Sequence, residues 1–109
     1  MNTFKKYEDA ATETDMVFQN STELWYVALG ISGEVGEIVG HIKKSYRDDH
    51  RLTAERRILI LKECGDVLWY LSKTARILGS SLAEVADMNI AKLKARAMKK
   101  TLHGSGDNR

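Results

Sequence analysis

A chain of 109 residues has room for one domain and one modest hydrophobic core. With 43% hydrophobic and 29% charged residues it is not a disordered chain, and a net charge of +2, from 17 bases against 15 acids, is too even to mark a nucleic-acid-binding surface. The single cysteine, Cys64, excludes an intrachain disulfide and a cysteine-rich zinc site, and no apolar run approaches the ~20 residues that span a bilayer. Together with an N-terminus that lacks a signal-type apolar core, these features predict a mature cytoplasmic protein with no nucleic-acid or membrane partner. Proline is absent and no stretch alternates at period two, which points to an all-α fold.

In chain order, the first predicted helix runs from about Thr3 to Phe18, with Phe4, Tyr7, Ala11, Thr14 and Phe18 at helical spacing. Asn20, with Glu23 three residues on, reads as the cap of a second helix reaching about Tyr46. Its apolar seam is Leu24, Ala28, Ile31, Val35, Ile38 and Ile42. A charged connection, Arg47 to Arg51, leads to Thr53 as N-cap of a third helix that ends near Leu78 with Gly79 as its stop. Ser81 and Glu84 form a capping box for a fourth helix, Leu82 to about Lys100, followed by a glycine-rich tail. The expected architecture is a four-helix, bundle-like single domain over residues 1–109 with the third helix central. Leu59, Ile60, Leu61, Cys64, Val67, Leu68, Tyr70, Leu71, Thr74, Ala75 and Leu78 cover well over half of that helix. Four helices of one short chain can hardly enclose it, so helix packing between copies is expected.

Glu63 projects into this apolar arc, and Asp66 stands at its edge one turn on. An isolated buried carboxylate costs several kcal/mol or loses its charge. Glu34, at the edge of the second helix's seam, has Glu37 as its own i+3 neighbour. If the two helices pack antiparallel, Glu34, Glu37, Glu63 and Asp66 converge, and four clustered negative charges require cations. An all-oxygen donor set suits Mg²⁺ or Mn²⁺. No Glu-x-x-His pair exists, which argues against a di-iron bundle. Gly30, Gly33, Gly36, Gly40 and Gly65 lie inside these helices at a cost of ~1 kcal/mol each against alanine, as expected where a backbone or ligand approaches closely.

Gly33-Glu34-Val35-Gly36-Glu37, Lys43-Lys44, the run from Glu63-Cys64-Gly65-Asp66 to Val67-Leu68-Trp69-Tyr70-Leu71, and Asn89-Ile90-Ala91-Lys92-Leu93-Lys94-Ala95-Arg96 resemble the MazG-type nucleoside triphosphate pyrophosphohydrolases. These are all-α enzymes grouped with the dimeric dUTPases. The resemblance implies hydrolysis of a (deoxy)nucleoside triphosphate to monophosphate and pyrophosphate, Mg²⁺ held by Glu34, Glu37, Glu63 and Asp66, and a homodimer or dimer of dimers. One departure stands out: Gly33 occupies the first of two adjacent glutamate positions in the fuller family pattern. The number of metal ions and the carboxylate that positions water stay open on that account.

In this reading a metal-activated water attacks phosphorus, Glu63 is a catalytic ligand, and Glu37, less committed to metal, takes the proton. Phosphate contacts fall to Lys43 and Lys44 at the end of the metal-bearing helix, to Asn89, Lys92 and Arg96 on the fourth helix, and to Arg109 if the tail folds over the site rather than fraying. Tyr7 and Thr14 are further candidates to approach the ligand. Trp25 and Trp69 fit either base stacking or a core and interface role, Cys64 reads as a small core residue, and His41 as a surface or supporting residue. A nucleotide-binding module without turnover and a purely structural helical dimer are the alternatives.

Overall fold

The computed structural model describes residues 3–15 and 24–103, with side-chain surroundings to residue 100. It contains four α-helices, α1 (Phe4–Thr12), α2 (Leu24–Lys44), α3 (Ala54–Ile77) and α4 (Leu82–His103), and a π-helical turn, Ser45–Asp49, that extends α2. No strand occurs among the described residues. The chain is all-α, as its period and lack of proline predict, and no described helix is long and apolar enough to cross a membrane.

The predicted Thr53 and Ser81 caps form. Thr53 Oγ1 accepts from Arg56 N–H at 3.1 Å, and Ser81 Oγ from Glu84 N–H at 3.1 Å. Glu84 does not close the capping box; its carboxylate accepts from Ser80 Oγ at 2.6 Å. The first-turn N–H of Leu82 goes instead to Glu8 Oε1 on α1, at 3.0 Å. Gly79, at φ 74°, ends α3 with Ser80 N–H bonded to Ala75 O (2.8 Å) and Gly79 N–H to Arg76 O (3.1 Å), a pairing that satisfies two orphan carbonyls.

Two boundaries differ from expectation. α1 stops at Thr12, not near Phe18, because Thr12 and Thr14 hydroxyls turn back to the carbonyls of Glu8 and Ala11 (2.7 and 2.6 Å) and Asp15 is drawn onto α3. The Asn20–Glu23 capping signal and Phe18 lie outside the described residues. The expected charged connection is partly helical: the π turn carries α2 on to Asp49, Ser45 Oγ donates to Arg51 O at 3.0 Å, and His50 (φ 55°) breaks the run.

α2 and α3 form an antiparallel hairpin, the most extensive packing among the described residues, with α1 lying on α3 and α4, and α4 on α1 and α3. The α2 face with the lowest exposure runs Val27, Ile31, Glu34, Ile38, His41, Ser45, and that of α3 runs Arg56, Ile60, Glu63, Val67, Tyr70, Thr74. Both step by four and three residues, as helical faces do. The α2 face is thus offset from the expected seam: Leu24, Ala28, Val35 and Ile42 are exposed, while polar Glu34 and His41 are turned in. The apolar arc of α3 is likewise covered only in part. Leu59, Leu61, Cys64, Leu71 and Leu78 are exposed, so Cys64 is not a core residue of the single chain.

Candidate metal centre

Halfway along the hairpin, α2 presents Glu34, Glu37 and His41 to α3, which presents Glu63 and Asp66. One oxygen each of Glu34, Glu63 and Asp66 lies within 4.8 Å of the others, and Glu37, His41 and Glu63 form a second such group. Glu63, with 20% of its side chain exposed, belongs to both and is the centre of the cluster. Glu37 is on the exposed flank.

The electrostatics report the same convergence. The Glu34 carboxyl is held above its ordinary value, first by burial, then by a hydrogen bond with Glu63, then by the charges of Asp66, Glu63 and Glu37. Such a cluster gains by taking a cation. Adjacent oxygens on one octahedral Mg²⁺ at ~2.1 Å are ~3.0 Å apart, so the Glu34, Glu63 and Asp66 oxygens, now within 4.8 Å of one another, need to close by about 2 Å or less to share a hard divalent ion.

The carboxylates open into a cleft of ≈ 340 Å³ lined by Glu34, Asp66, Trp69 and Tyr70. Tyr70 packs against Tyr26, with ring centroids 6.0 Å apart, and burial, a hydrogen bond with Tyr26 and the charges of Tyr26, Glu34 and Asp66 raise its phenol's pKa. Gly30 lies under the Tyr70 ring, where a Cβ would overlap the ring itself. Gly30 therefore serves the close approach expected of the helix glycines. Gly33, Gly36, Gly40 and Gly65 meet no neighbour among the described residues, so packing among those does not account for them.

The other cleft aromatic, Trp69, donates Nε1–H to Thr14 Oγ1 at 2.7 Å. Next to it Asp15, 3% exposed, accepts from the buried Lys73 ammonium and from Arg76 Nη2, the latter at 2.7 Å. Arg76 also donates to Thr12 Oγ1 at 2.9 Å. This clasp fixes the end of α1 beside the cleft. Tyr7 of α1 is close enough for Asp66's charge, after burial, to raise its pKa. Tyr7 and Thr14 themselves do not line the cleft, but Thr14 is bonded to Trp69, which does.

The basic candidates are dispersed. Lys43 and Lys44 are exposed at the end of α2. Asn89 and Lys92 line a separate hollow on α4 with Val85 and Met88, and Arg96 is half-buried further along that helix. Arg109 lies outside the described residues. Trp25 is 54% exposed and does not line the cleft. His41, read from the sequence as a surface or supporting residue, stands beside the cluster, on the helix face that Glu34 and Glu37 share at spacings of seven and four residues.

Comparison with known proteins gives the family. The family model of the MazG nucleotide pyrophosphohydrolase domain matches residues 24–100, the stretch that carries every carboxylate of the cluster. The Gene 37 protein of Mycobacterium phage L5 is 42% identical over 87 residues, covering 79% of this chain and 76% of that protein. No solved structure matches the chain. The chain belongs to the MazG nucleotide pyrophosphohydrolase domain family.

Proposed function

We propose that this protein is a Mg²⁺-dependent hydrolase, with Mn²⁺ as a substitute, that converts a (deoxy)nucleoside triphosphate to its monophosphate and pyrophosphate. The observation that carries the proposal is the convergence of Glu34, Glu37, Glu63 and Asp66 beside an aromatic cleft. When bound, a divalent ion screens the polyphosphate's charge and lowers the pKa of water. Glu34, Glu63 and Asp66 would hold it, with Glu37 as the fourth and least committed ligand. Glu37, on the exposed flank, accepts the proton of the attacking water. Trp69 and Tyr70 give the nucleoside an apolar wall and exclude water from it. Among the described residues His41 faces Arg56 and Glu63 and no serine or cysteine nucleophile, which favours attack by water in one step. Lys43, Lys44, Asn89, Lys92, Arg96 and Arg109 are the proposed phosphate contacts, pyrophosphate being a good leaving group once neutralised.

The working form is a homodimer or a dimer of dimers. The described apolar residues that are buried in one chain are only Ala11, Val27, Ala75 and Leu82, whereas Leu29, Val39, Leu61, Leu71, Leu78, Met88, Leu93 and Met98 are between 43% and 65% exposed. A surface of that kind, spread over α2, α3 and α4, is what a second copy covers.

Incubation of dCTP or dUTP with protein and Mg²⁺ tests the chemistry. Monophosphate and pyrophosphate should appear in equal amounts, with oxygen-18 from labelled water on the monophosphate. Label in orthophosphate, or accumulating diphosphate, would place the attack at the γ-phosphorus and overturn the reading. Binding without turnover would leave a nucleotide-binding module, and absence of both would leave a structural helical dimer.

A further inference from the structure

His41 invites assignment as a metal ligand, since it forms a compact group with Glu37 and Glu63. Its other neighbour argues for a different role. Arg56 Nη1 is 3.3 Å from His41 Nδ1. A guanidinium only donates, so Nδ1 must be the accepting, unprotonated nitrogen of a neutral imidazole. The ring proton then resides on Nε2, the atom that faces Glu63 Oε1 at 3.9 Å. A histidine that binds metal through Nε2 has the reverse arrangement, with Nδ1–H donated to a carboxylate, carbonyl or water.

Arg56 is itself held. Its Nε donates to Asp49 Oδ2 at 3.3 Å, and its backbone N–H caps on Thr53. Asp49 reaches it because the π turn keeps the chain helical past Lys44. Arg56 and Asp49 are both mostly shielded, with 17% and 24% of their side chains exposed, as are His41 at 15% and Glu63 at 20%. The polar chain Asp49, Arg56, His41, Glu63 thus runs from the hairpin turn to the centre of the carboxylate cluster.

The geometry points to His41 as a positioning residue that directs an Nε2–H at Glu63, in a tautomer imposed by Arg56, and not as a metal ligand. The present 3.9 Å is longer than a formed hydrogen bond, and a closure of about 1 Å makes one. With one oxygen of Glu63 so engaged, its carboxylate is held in the orientation the cluster needs. This assignment rests on the reading of Glu63 as a cation ligand, but the tautomer does not.

The tautomer is therefore measured first, by ¹⁵N NMR of the imidazole in the full-length protein at mildly alkaline pH, without metal and then with Mg²⁺. The expected signature is a proton on Nε2 and a bare Nδ1 in both states. A proton on Nδ1, or an Nε2 that ligates when Mg²⁺ is added, overturns the assignment. Calorimetric Mg²⁺ affinity of two variants completes the test. His41→Leu, which lacks a donor, should bind about tenfold more weakly or worse, the scale at which supporting residues act on metal sites. His41→Gln, whose amide restores a donor toward Glu63, should stay within about threefold of the parent. Equal loss in both variants, or no loss in His41→Leu, overturns it. A parent protein that binds no Mg²⁺ would instead refute the metal reading of the cluster and leave the metal-free tautomer result standing.

Discussion

At the scale of single residues the cluster is a balance of like charges. Removing the central one by Glu63→Gln should abolish Mg²⁺ binding and turnover while leaving the melting temperature equal or higher, because repulsion with Glu34 and Asp66 falls. Wild-type turnover in that variant would take Glu63 out of the mechanism. Glu34 carries a pH signature. Its native pKa lies above the ordinary 4.5, so between 4.5 and the raised value the metal-free native state binds more protons than the unfolded chain. Stability therefore falls as pH rises through that window and is regained as pH is lowered back through it. Calorimetric melting of metal-free protein against Glu34→Gln should show this slope only in the parent. An identical pH dependence in both would deny the shift.

At the scale of elements, pairs of helices are fixed by few contacts, some of them polar. The end of α1 is held on α3 by Asp15 between Lys73 and Arg76, and by Thr14 beneath Trp69. Asp15→Ala would leave Lys73, 1% exposed, as a buried cation without this carboxylate, and should cost about 3–5 kcal/mol in chemical unfolding. A cost below about 1 kcal/mol, the scale of an exposed ion pair, would mean the clasp is solvated. In the α2/α3 hairpin, Gly30→Ala pushes a methyl into the Tyr70 ring and should destabilise by about 1–3 kcal/mol, with a change in cleft fluorescence as Tyr70 and Trp69 move. The same change at Gly36, where nothing lies within 4 Å, should be harmless or stabilising in a single chain. A large loss at Gly36 would identify it as a contact between copies.

At the scale of the whole molecule, the exposed apolar faces of α2, α3 and α4 predict a dimer or tetramer by light scattering at micromolar concentration. A monomer there would count against the proposed assembly. The phosphate contacts belong to this scale too, because Asn89 and Lys92 sit in a hollow of α4 apart from the carboxylate cleft. Lys92→Ala should lower kcat/KM for triphosphates by at least about tenfold, the scale of one lost charge-assisted hydrogen bond. Unchanged kinetics would make Lys92 a solvent-facing residue.

Local periodicity and capping chemistry made much of the protein legible from its sequence. The helical class follows from the 3.6-residue period, the Thr53 and Ser81 caps from short polar side chains before apolar runs, the Gly79 stop from a residue free to adopt φ 74°, and the two acidic pairs from i, i+3 spacing. These depend on neighbours within a few positions, which a sequence displays. The tertiary structure alone determined which side of each helix turns inward. The α2 face offset through Glu34 and His41, the early end of α1 at Thr12, the Asp15 clasp, the Arg56 contact that sets the His41 tautomer, and the specific need for glycine at 30 but not at 36 are all examples. Apart from the end of α1, which the Thr12 and Thr14 hydroxyls also help to set locally, each depends on residues far apart in the chain. Helix rotation about its own axis costs almost nothing locally, so only the partner helix can choose the buried face.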